Sequence, residues 1–462
     1  MNDKNRYLTE TEILSITEKS MHKTFGELGL SSFRDKSNKG GLGTFIEESV
    51  FEYKANNDDS PDFITAGIEL KVTPVKRNED GSFSSKERLV LNMIDYGQEE
   101  LATFETSSFY RKNRRLLIWF YHYIKDIPET SYLLTAYDLF EFENSLEYKI
   151  IKKDWEIIHQ KIKKGLAHTI SESDTTFLAA CTKGTNSNST RKQPHSDVEA
   201  KCRAYSLKSS FMTRLYRELI HQIAPYVSFV SDEEWMKNPL EEIFKEKLTK
   251  YYGKSVAELA NRFNIKNNPK DLCFKISQRT LGLTGKDSGT IEMIDAGIKL
   301  KTVRVHKNGT PCESMSFPAL DFIELINQKW ENSDIREDFV DWKLMLFVFK
   351  EDNNNVMRFD RVQFWNIPNN IVDGEIKIMY EQCAMLVKNG DALYYDDGKI
   401  KDMFPKEKRN SNGVCHVRPH GRVAADTFKL PISDKKTGKT EYTKQCFWLN
   451  KLFVKKILED KV

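Results

Sequence analysis

The decapeptide DFITAGIELK, residues 62–71, returns later in the chain as EMIDAGIKLK, residues 292–301. Three further pairs keep the same order. GKSVAELANRF (253–263) parallels HKTFGELGLSSF (22–33), KLMLFVF (343–349) parallels RLLIWFY (115–121), and QCFWLNKLF (445–453) parallels RAYSLKSSF (203–211). One such match arises by chance, but four in order at a nearly constant offset indicate a duplicated domain. Such a chain must build its core twice, and 462 residues at 39% hydrophobic carry enough apolar material for that. The boundary is expected within HQIAPYVSFVSDEEWMKNP, giving domains over 1–225 and 226–462.

Several function classes are excluded early. The longest apolar run, LLIWFYHYI, is too short to cross a bilayer, and the first residues show no basic stretch followed by an apolar one. No membrane partner is therefore expected, and the cytoplasm is the expected location. Seven cysteines without a CxxC pair suit reduced thiols, and Cys415 beside His416 has no second cysteine at ligand spacing. A net charge of +3 does not by itself mark a nucleic-acid binder. Charge is local instead: RKNRR at 111–115, and the polar loop CTKGTNSNSTRKQPHSD at 181–197, each of which also reads as an ordinary solvated edge.

Within the first half, Thr9 and Glu12 form a capping box for an opening helix, and KGGLG leads into the helical pattern TFIEESVFEYK. GIELKVTPV reads as a strand, RRLLIWFYHYI as a buried strand, and DWEIIHQKIKKG as an amphipathic helix ended by Gly165. On the first strand, Ile68, Leu70 and Val72 line one face while Glu69 and Lys71 share the other. The turn-prone TAG before it lets Asp62 fold back so that its carboxylate approaches Glu69. Two carboxylates that close are stable only with a cation between them, and an all-oxygen set suits Mg²⁺ with waters in its shell. Lys71 would orient or deprotonate such a water and stabilise charge on phosphorus, as phosphodiester hydrolysis needs. Spacing alone is weak evidence, because acid-x-Lys also occurs at Glu52, Glu147 and Glu375; the Asp62 copy differs by the single Pro-Asp of the chain. Glu47 falls in the helical stripe of Val50 and Phe51, either as a border glutamate or as a carboxylate turned toward that site.

In order, the chain presents Gly43 to Glu47; Asp62, Glu69 and Lys71 with Thr73-Pro74; Phe104-Glu105-Thr106-Ser107 with Lys112; and Asp154-Trp155-Glu156. This succession resembles the MutH-like nucleases, which include the mismatch-repair nicking enzyme and type II restriction endonucleases that cut at GATC. SSKERLVLN, FETSSF, CTKG, SLKS and CHVRPH are similar to the restriction branch in particular, and the resemblance spans essentially the whole chain. It implies an α/β (α+β) fold: a tandem duplication of a PD-(D/E)xK restriction-endonuclease-like domain, each copy a mixed β-sheet flanked by helices. It further implies Asp62, Glu69 and Glu47 as the acidic metal-site residues, Lys71 as the core lysine, Lys112 as a second lysine near the scissile phosphate, Mg²⁺ as cofactor, and cleavage 5′ of the G.

For DNA reading, the resemblance points to Lys183 with Thr182 and Asn186 in the loop, and to Tyr205 and Lys208 beyond it. Where the mismatch-repair enzyme has R-P-K, this chain has Cys181-Thr182-Lys183, keeping the lysine and losing the arginine. Lys183 suits G O6 and N7, whereas Arg111 and Arg114 suit phosphates. The second half has Ser277, Glu292 and Lys299 where the first has Glu47, Asp62 and Glu69. That set cannot hold a metal, yet Arg418, His420 and Trp448 remain for DNA contact. The expectation is a catalytically dead DNA-binding copy that recognises a second GATC site or the other half of the same palindrome, with a structural brace as the alternative. A type II site-specific endonuclease on double-stranded GATC DNA is thus favoured, monomeric in solution, pairing on DNA, and functionally linked to a methyltransferase. A mismatch-repair nickase and a non-catalytic DNA-binding regulator are the alternatives.

Overall fold

The computed structural model of the chain describes residues 3–31, 41–55, 59–78, 81–145, 147–183, 189–222, 227–266, 271–284, 289–408, 411–421 and 423–462. It divides into two compact units, Met1–Tyr226 with Met293–Gly297, and Val227–Glu292 with Ile298–Val462.

In the first unit, helix α1 (Glu10–Ser20) begins at the capping box: the Thr9 hydroxyl accepts the Glu12 amide, and the Thr9 amide donates to the Glu12 carboxylate at 2.8 Å. Next comes α2 (Gly41–Phe45), which runs into a single π-helical turn, Ile46–Val50. The sequence pattern predicts a longer helix here. Instead the Phe51 amide reaches back to the Ile46 carbonyl at 3.0 Å, and Glu52, at φ 58°, ends the segment. Widened turns of this kind occur often at functional positions.

Strands β1 (Glu69–Arg77), β2 (Phe83–Ser85), β3 (Leu89–Met93), β4 (Arg115–His122) and β5 (Leu133–Glu141) follow, with helices α3 (Tyr96–Leu101) and α4 (Ser108–Asn113) between β3 and β4. The mixed sheet has the order β2-β1-β4-β5, in which β1 and β4 are parallel and the outer pairings antiparallel. The alternation expected along β1 is not observed, because Glu69, Leu70, Thr73, Pro74 and Val75 are all buried. A parallel pair inside a sheet has both faces covered, which erases the period of two. Under the start of β1 lies an aromatic floor, with Phe51 packed edge-on to Phe63 at 4.9 Å and 5.5 Å from Trp119.

Helix α5 (Tyr148–Lys163) ends before Gly165, whose φ of 67° is a conformation that side chains disfavour. Strands β6 (Leu178–Thr182), β7 (Thr190–Gln193), β8 (Ser196–Lys201) and β9 (Arg203–Leu207) then lead to helix α6 (Ser209–Leu219). They form a three-stranded antiparallel sheet, β3-β9-β6, and a β7-β8 ribbon.

The second unit contains β10 (Ile298–Val305), β11 (Met315–Leu320), β12 (Lys343–Glu351) and β13 (Met357–Asn366). Two hairpins and a final pair follow: β14 (Leu393–Asp396) with β15 (Lys399–Asp402), β17 (Thr427–Lys429) with β18 (Glu441–Thr443), and β16 (Cys415–Pro419) with β19 (Gln445–Leu449). Its mixed sheet is β10-β12-β13, with β10 parallel to β12, and its antiparallel sheet is β11-β19-β16. Sheet for sheet, this is the order β1-β4-β5 and β3-β9-β6 of the first unit. The likeness extends to edges: Thr24 bridges Leu133 at the start of β5, and Ser255 bridges Arg358 on β13. Among the described residues, no helix is long and apolar enough to cross a membrane.

Candidate active site

Asp62 and Glu69 meet because the chain folds into a tight hairpin just before β1. Phe63 and Ile68 bridge, Gly67 takes φ 65°, and the Arg115 guanidinium holds the turn through the Ala66 carbonyl at 2.7 Å. The Leu70 amide donates to Asp62 Oδ2 at 2.9 Å, while the Asp62 amide donates to Glu69 Oε2 at 3.2 Å. Both side chains are buried. The expected approach of the two carboxylates is realised through backbone amides that fix each of them.

Lys71 Nζ donates to Glu69 Oε1 at 2.6 Å, and Lys112 Nζ stands 3.8 Å from the same oxygen. Burial raises the Asp62 carboxyl from its ordinary 3.8 to about 7, with Glu69 and Glu47 adding repulsion and Lys71 opposing it. Burial also raises Glu47, although Lys71 pulls the other way. For Lys71 burial acts against the charge, but Glu69, Asp62 and Glu47 together outweigh it and lift the pKa above the ordinary lysine value. The three acids thus favour the charged form of Lys71. Tyr53, fully buried with no hydrogen-bond partner for its hydroxyl among the described residues, is pushed up by burial and by Asp62, Glu47 and Glu69.

Position 112 is set by the FETSSF segment. The Ser107 hydroxyl accepts the Tyr110 amide at 3.1 Å and donates to the Phe104 carbonyl at 2.6 Å, starting α4. Asn113 closes the helix, bonded to Asn92 Oδ1 at 2.9 Å and to the Phe109 carbonyl at 2.8 Å. Lys112 faces Glu69, whereas Arg111 and Arg114 on the same short helix end are exposed. A buried acid that sequence reasoning missed, Glu99, accepts hydrogen bonds from the Trp155 indole and the Tyr205 hydroxyl, both at 2.7 Å. It ties α3, α5 and β9 together. The available signal was two aromatic polar tips, each needing a buried partner.

This geometry corrects two of the DNA-contact expectations. Tyr205 is wholly buried on the central strand β9 with its hydroxyl committed to Glu99. Lys208 is buried as well, its ammonium held by the Thr175 carbonyl at 2.6 Å. Neither can reach DNA without unfolding. Lys183 is exposed at the end of β6, its amide bonded to the Cys202 carbonyl at 2.7 Å, and Thr182 is half-buried with its amide on Glu172. Asn186 lies outside the described residues.

In the second unit the acid expected at the Asp62 position, Glu292, is buried and caps a loop: it accepts the Phe229 and Val230 amides, each at 3.1 Å. Arg418 lies over the Trp448 ring at 4.9 Å, and the His420 ring is 6.2 Å from it. Strand register aligns these with the first unit. Cys415 pairs with Leu449 and Arg418 with Cys446, as Leu178 pairs with Leu207 and Cys181 with Ala204. Arg418 thus holds the place of Cys181, and His420 that of Lys183.

The donor set decides which metal would suit the first unit. Among the described residues, no three His, Cys, Asp or Glu side chains stand close enough to hold an ion by themselves. The Asp62–Glu69 pair does suit a hard cation that takes one or two carboxylates and leaves its other positions to water and phosphate, which is the habit of Mg²⁺. Glu47 lies near enough to this pair to feel the charge of Glu69.

Pro-Asp on a hairpin, Glu-x-Lys on the adjoining strand of a mixed sheet, and a second lysine from a neighbouring helix have the make-up of a PD-(D/E)xK nuclease centre. A family model described as the DNA mismatch repair enzyme MutH matches residues 51–154, which contain all of these residues except Glu47. Over 489 aligned positions, covering 98% of this chain and 99% of the relative, the sequence is 36% identical to the type II restriction enzyme Sau3AI of Staphylococcus aureus. The chain belongs to the MutH-like type II restriction endonuclease family.

Proposed function

We propose that this chain is a Mg²⁺-dependent endonuclease that cuts double-stranded DNA at GATC, 5′ of the G, using the first unit alone for the bond-breaking step. The observation that carries the reading is the buried Asp62–Glu69 pair with Lys71 and Lys112 at its rim, against Glu292, Lys299 and Lys301 in the second unit. Asp62 and Glu69 would hold the cation, which when bound supplies compensation for the charge of the phosphate. Lys71 holds Glu69 in place and presents an ammonium where negative charge develops on a phosphate oxygen. Lys112 adds a second positive charge from α4, and Glu47 is the third acid of the proposed metal site.

Base reading falls to Lys183 with Thr182 and Asn186, and Arg111 and Arg114 hold backbone phosphates. In the second unit, Arg418, His420 and Trp448 form a DNA contact without chemistry. The shared strand order of the two units supports the reading of a tandem duplication with domains over 1–225 and 226–462. A GATC site is its own reverse complement, so two related surfaces suit it. With one nuclease centre per chain, double-strand cleavage requires two chains on DNA, and the second unit would serve to recruit another site. A mismatch-repair nickase accounts for the match to residues 51–154 alone, whereas similarity to a type II enzyme along the whole chain favours restriction, with a methyltransferase protecting host DNA.

Digestion of methylated and unmethylated DNA in Mg²⁺ with end mapping tests this. Ends 5′ of G at every unmodified GATC are expected, and ends elsewhere, or a single nick, refute it. On plasmids with one or two sites, faster cutting per site on the two-site plasmid is expected; equal rates remove the recruiting role of the second unit.

A further inference from the structure

At the place in its sheet where the first unit carries Glu69 and Lys71, the second unit carries two lysines. Lys299 lies opposite Leu344 and Lys301 opposite Leu346 across the parallel pair, as Glu69 lies opposite Leu116 and Lys71 opposite Ile118. They border a cavity of about 360 Å³ whose wall also includes His420 and the rings of Phe274, Phe317 and Trp342. That volume falls within the range of small-molecule sites. Losing the carboxylates has therefore not left a filled core but an open pocket of reversed charge.

The two ammonium groups are held over rings. Lys299 Nζ stands 5.2 Å from the Trp342 centroid and Lys301 Nζ 5.4 Å from that of Phe317. Lys301 also donates to the Ser316 carbonyl at 2.5 Å. Among the described residues, no carboxylate is among the groups whose charge acts on Lys301. Burial draws its pKa down to about 8, with Lys299 adding repulsion, where Lys71 is lifted by three acids. A desolvated cation without a counter-charge is stabilised by an anion that enters beside it. Phe274, on the helix Leu272–Thr280, is 39% exposed and gives the wall an unfilled apolar surface.

We propose that this cavity binds a phosphate monoester bearing a planar base, either a free deoxynucleoside 5′-monophosphate or the 5′-phosphorylated end of a DNA strand. A monoester carries about −1.5 to −2 charge at pH 7, so it offers the Lys301 ammonium a stronger counter-charge than a singly charged diester does. The base would stack on Phe274, a contact every nucleobase can make. The site rests on the second unit alone and stands whether or not the first unit cuts GATC.

The test is calorimetric titration of the full chain in EDTA with five probes: deoxyguanosine 5′-monophosphate, deoxyguanosine, inorganic phosphate, and a short duplex lacking GATC in its 5′-phosphorylated and 5′-hydroxyl forms. The monophosphate is expected to bind and the nucleoside not to. Lys301→Met should weaken the monophosphate about tenfold or more, the loss expected for one charge-assisted hydrogen bond, and Lys301→Arg should restore it. Phe274→Ala should weaken the monophosphate but not inorganic phosphate. Competition by the phosphorylated duplex and not by its 5′-hydroxyl form identifies strand ends as a source; its failure to compete assigns the pocket to free nucleotide. Equal binding of nucleoside and monophosphate, or wild-type affinity in Phe274→Ala and Lys301→Met, overturns the proposal. If Lys301→Met does not fold, Phe274→Ala at an exposed position and the wild-type probe comparison still decide.

Discussion

Asp62→Asn is expected to abolish cutting and at the same time to make the metal-free protein more stable. The first effect follows from removing one of two carboxylates able to hold a cation; losses of about a thousandfold accompany removal of a single charge-stabilising group, and DNA binding in a gel shift should persist. The second follows from the sign of the Asp62 shift. Its folded pKa, about 7, lies above the ordinary 3.8. The folded state therefore keeps a proton that the unfolded chain releases, so stability is full below pH 3.8 and is lost as pH rises through about 7. At pH 8 in EDTA the buried charge is offset only in part, by Lys71 and the Leu70 amide. Asparagine carries none and still offers an oxygen to the Leu70 amide, so the variant should gain on the order of 3 kcal/mol. Thermal melts at pH 8 should show the gain, and melts at pH 4 should not. Lys71→Ala sets a contrast, losing both cutting and stability because Glu69 forfeits its 2.6 Å partner. A variant Asp62→Asn that cuts, or that melts below wild type at pH 8 without metal, would contradict this account.

The hairpin that joins Asp62 to Glu69 was legible because its causes are local: a turn-prone Thr-Ala-Gly, an alternating strand, and an echo in the second half that kept the turn while changing the charges. What depends on distant neighbours was not legible. The period of two along β1 vanishes once β4 packs beside it and both faces are covered. The helix predicted after Gly43 is cut to one normal and one widened turn, after which Phe51 packs against Trp119. Tyr205 and Lys208 were placed on DNA by linear resemblance, which does not say which way a side chain faces; β9 is the middle strand of its sheet and all five of its residues are buried. Glu99 gains its meaning only when Trp155 and Tyr205 arrive from elsewhere in the chain.

The Asp154-Trp155-Glu156 motif illustrates the same division, and it carries the largest stability effect expected outside the site. Asp154 is buried on α5, and its carboxylate accepts the amides of Thr176, Phe177 and Leu178 at 2.8, 2.6 and 3.0 Å. Those three amides lead into β6, the strand that begins at Leu178 and ends at Thr182 beside Lys183. Burial raises the carboxyl from 3.8 to about 6 against the pull of these amides, so it is ionised at pH 7.5. Asp154→Ala leaves the amides without an acceptor in a dry interior. Each orphaned group costs about 1–3 kcal/mol, and partial relaxation brings the expected total to about 3–5 kcal/mol. Asp154→Asn keeps one acceptor oxygen and should fall between. The reading is the midpoint of urea unfolding for the first unit at pH 7.5, with an unchanged slope. Because the motif supports β6 rather than the reacting groups, the folded fraction of Asp154→Asn should cut with near-normal turnover once Mg²⁺ and DNA are saturating. A loss of stability under about 1 kcal/mol in Asp154→Ala would mean that the three amides have another acceptor and that the motif holds something else.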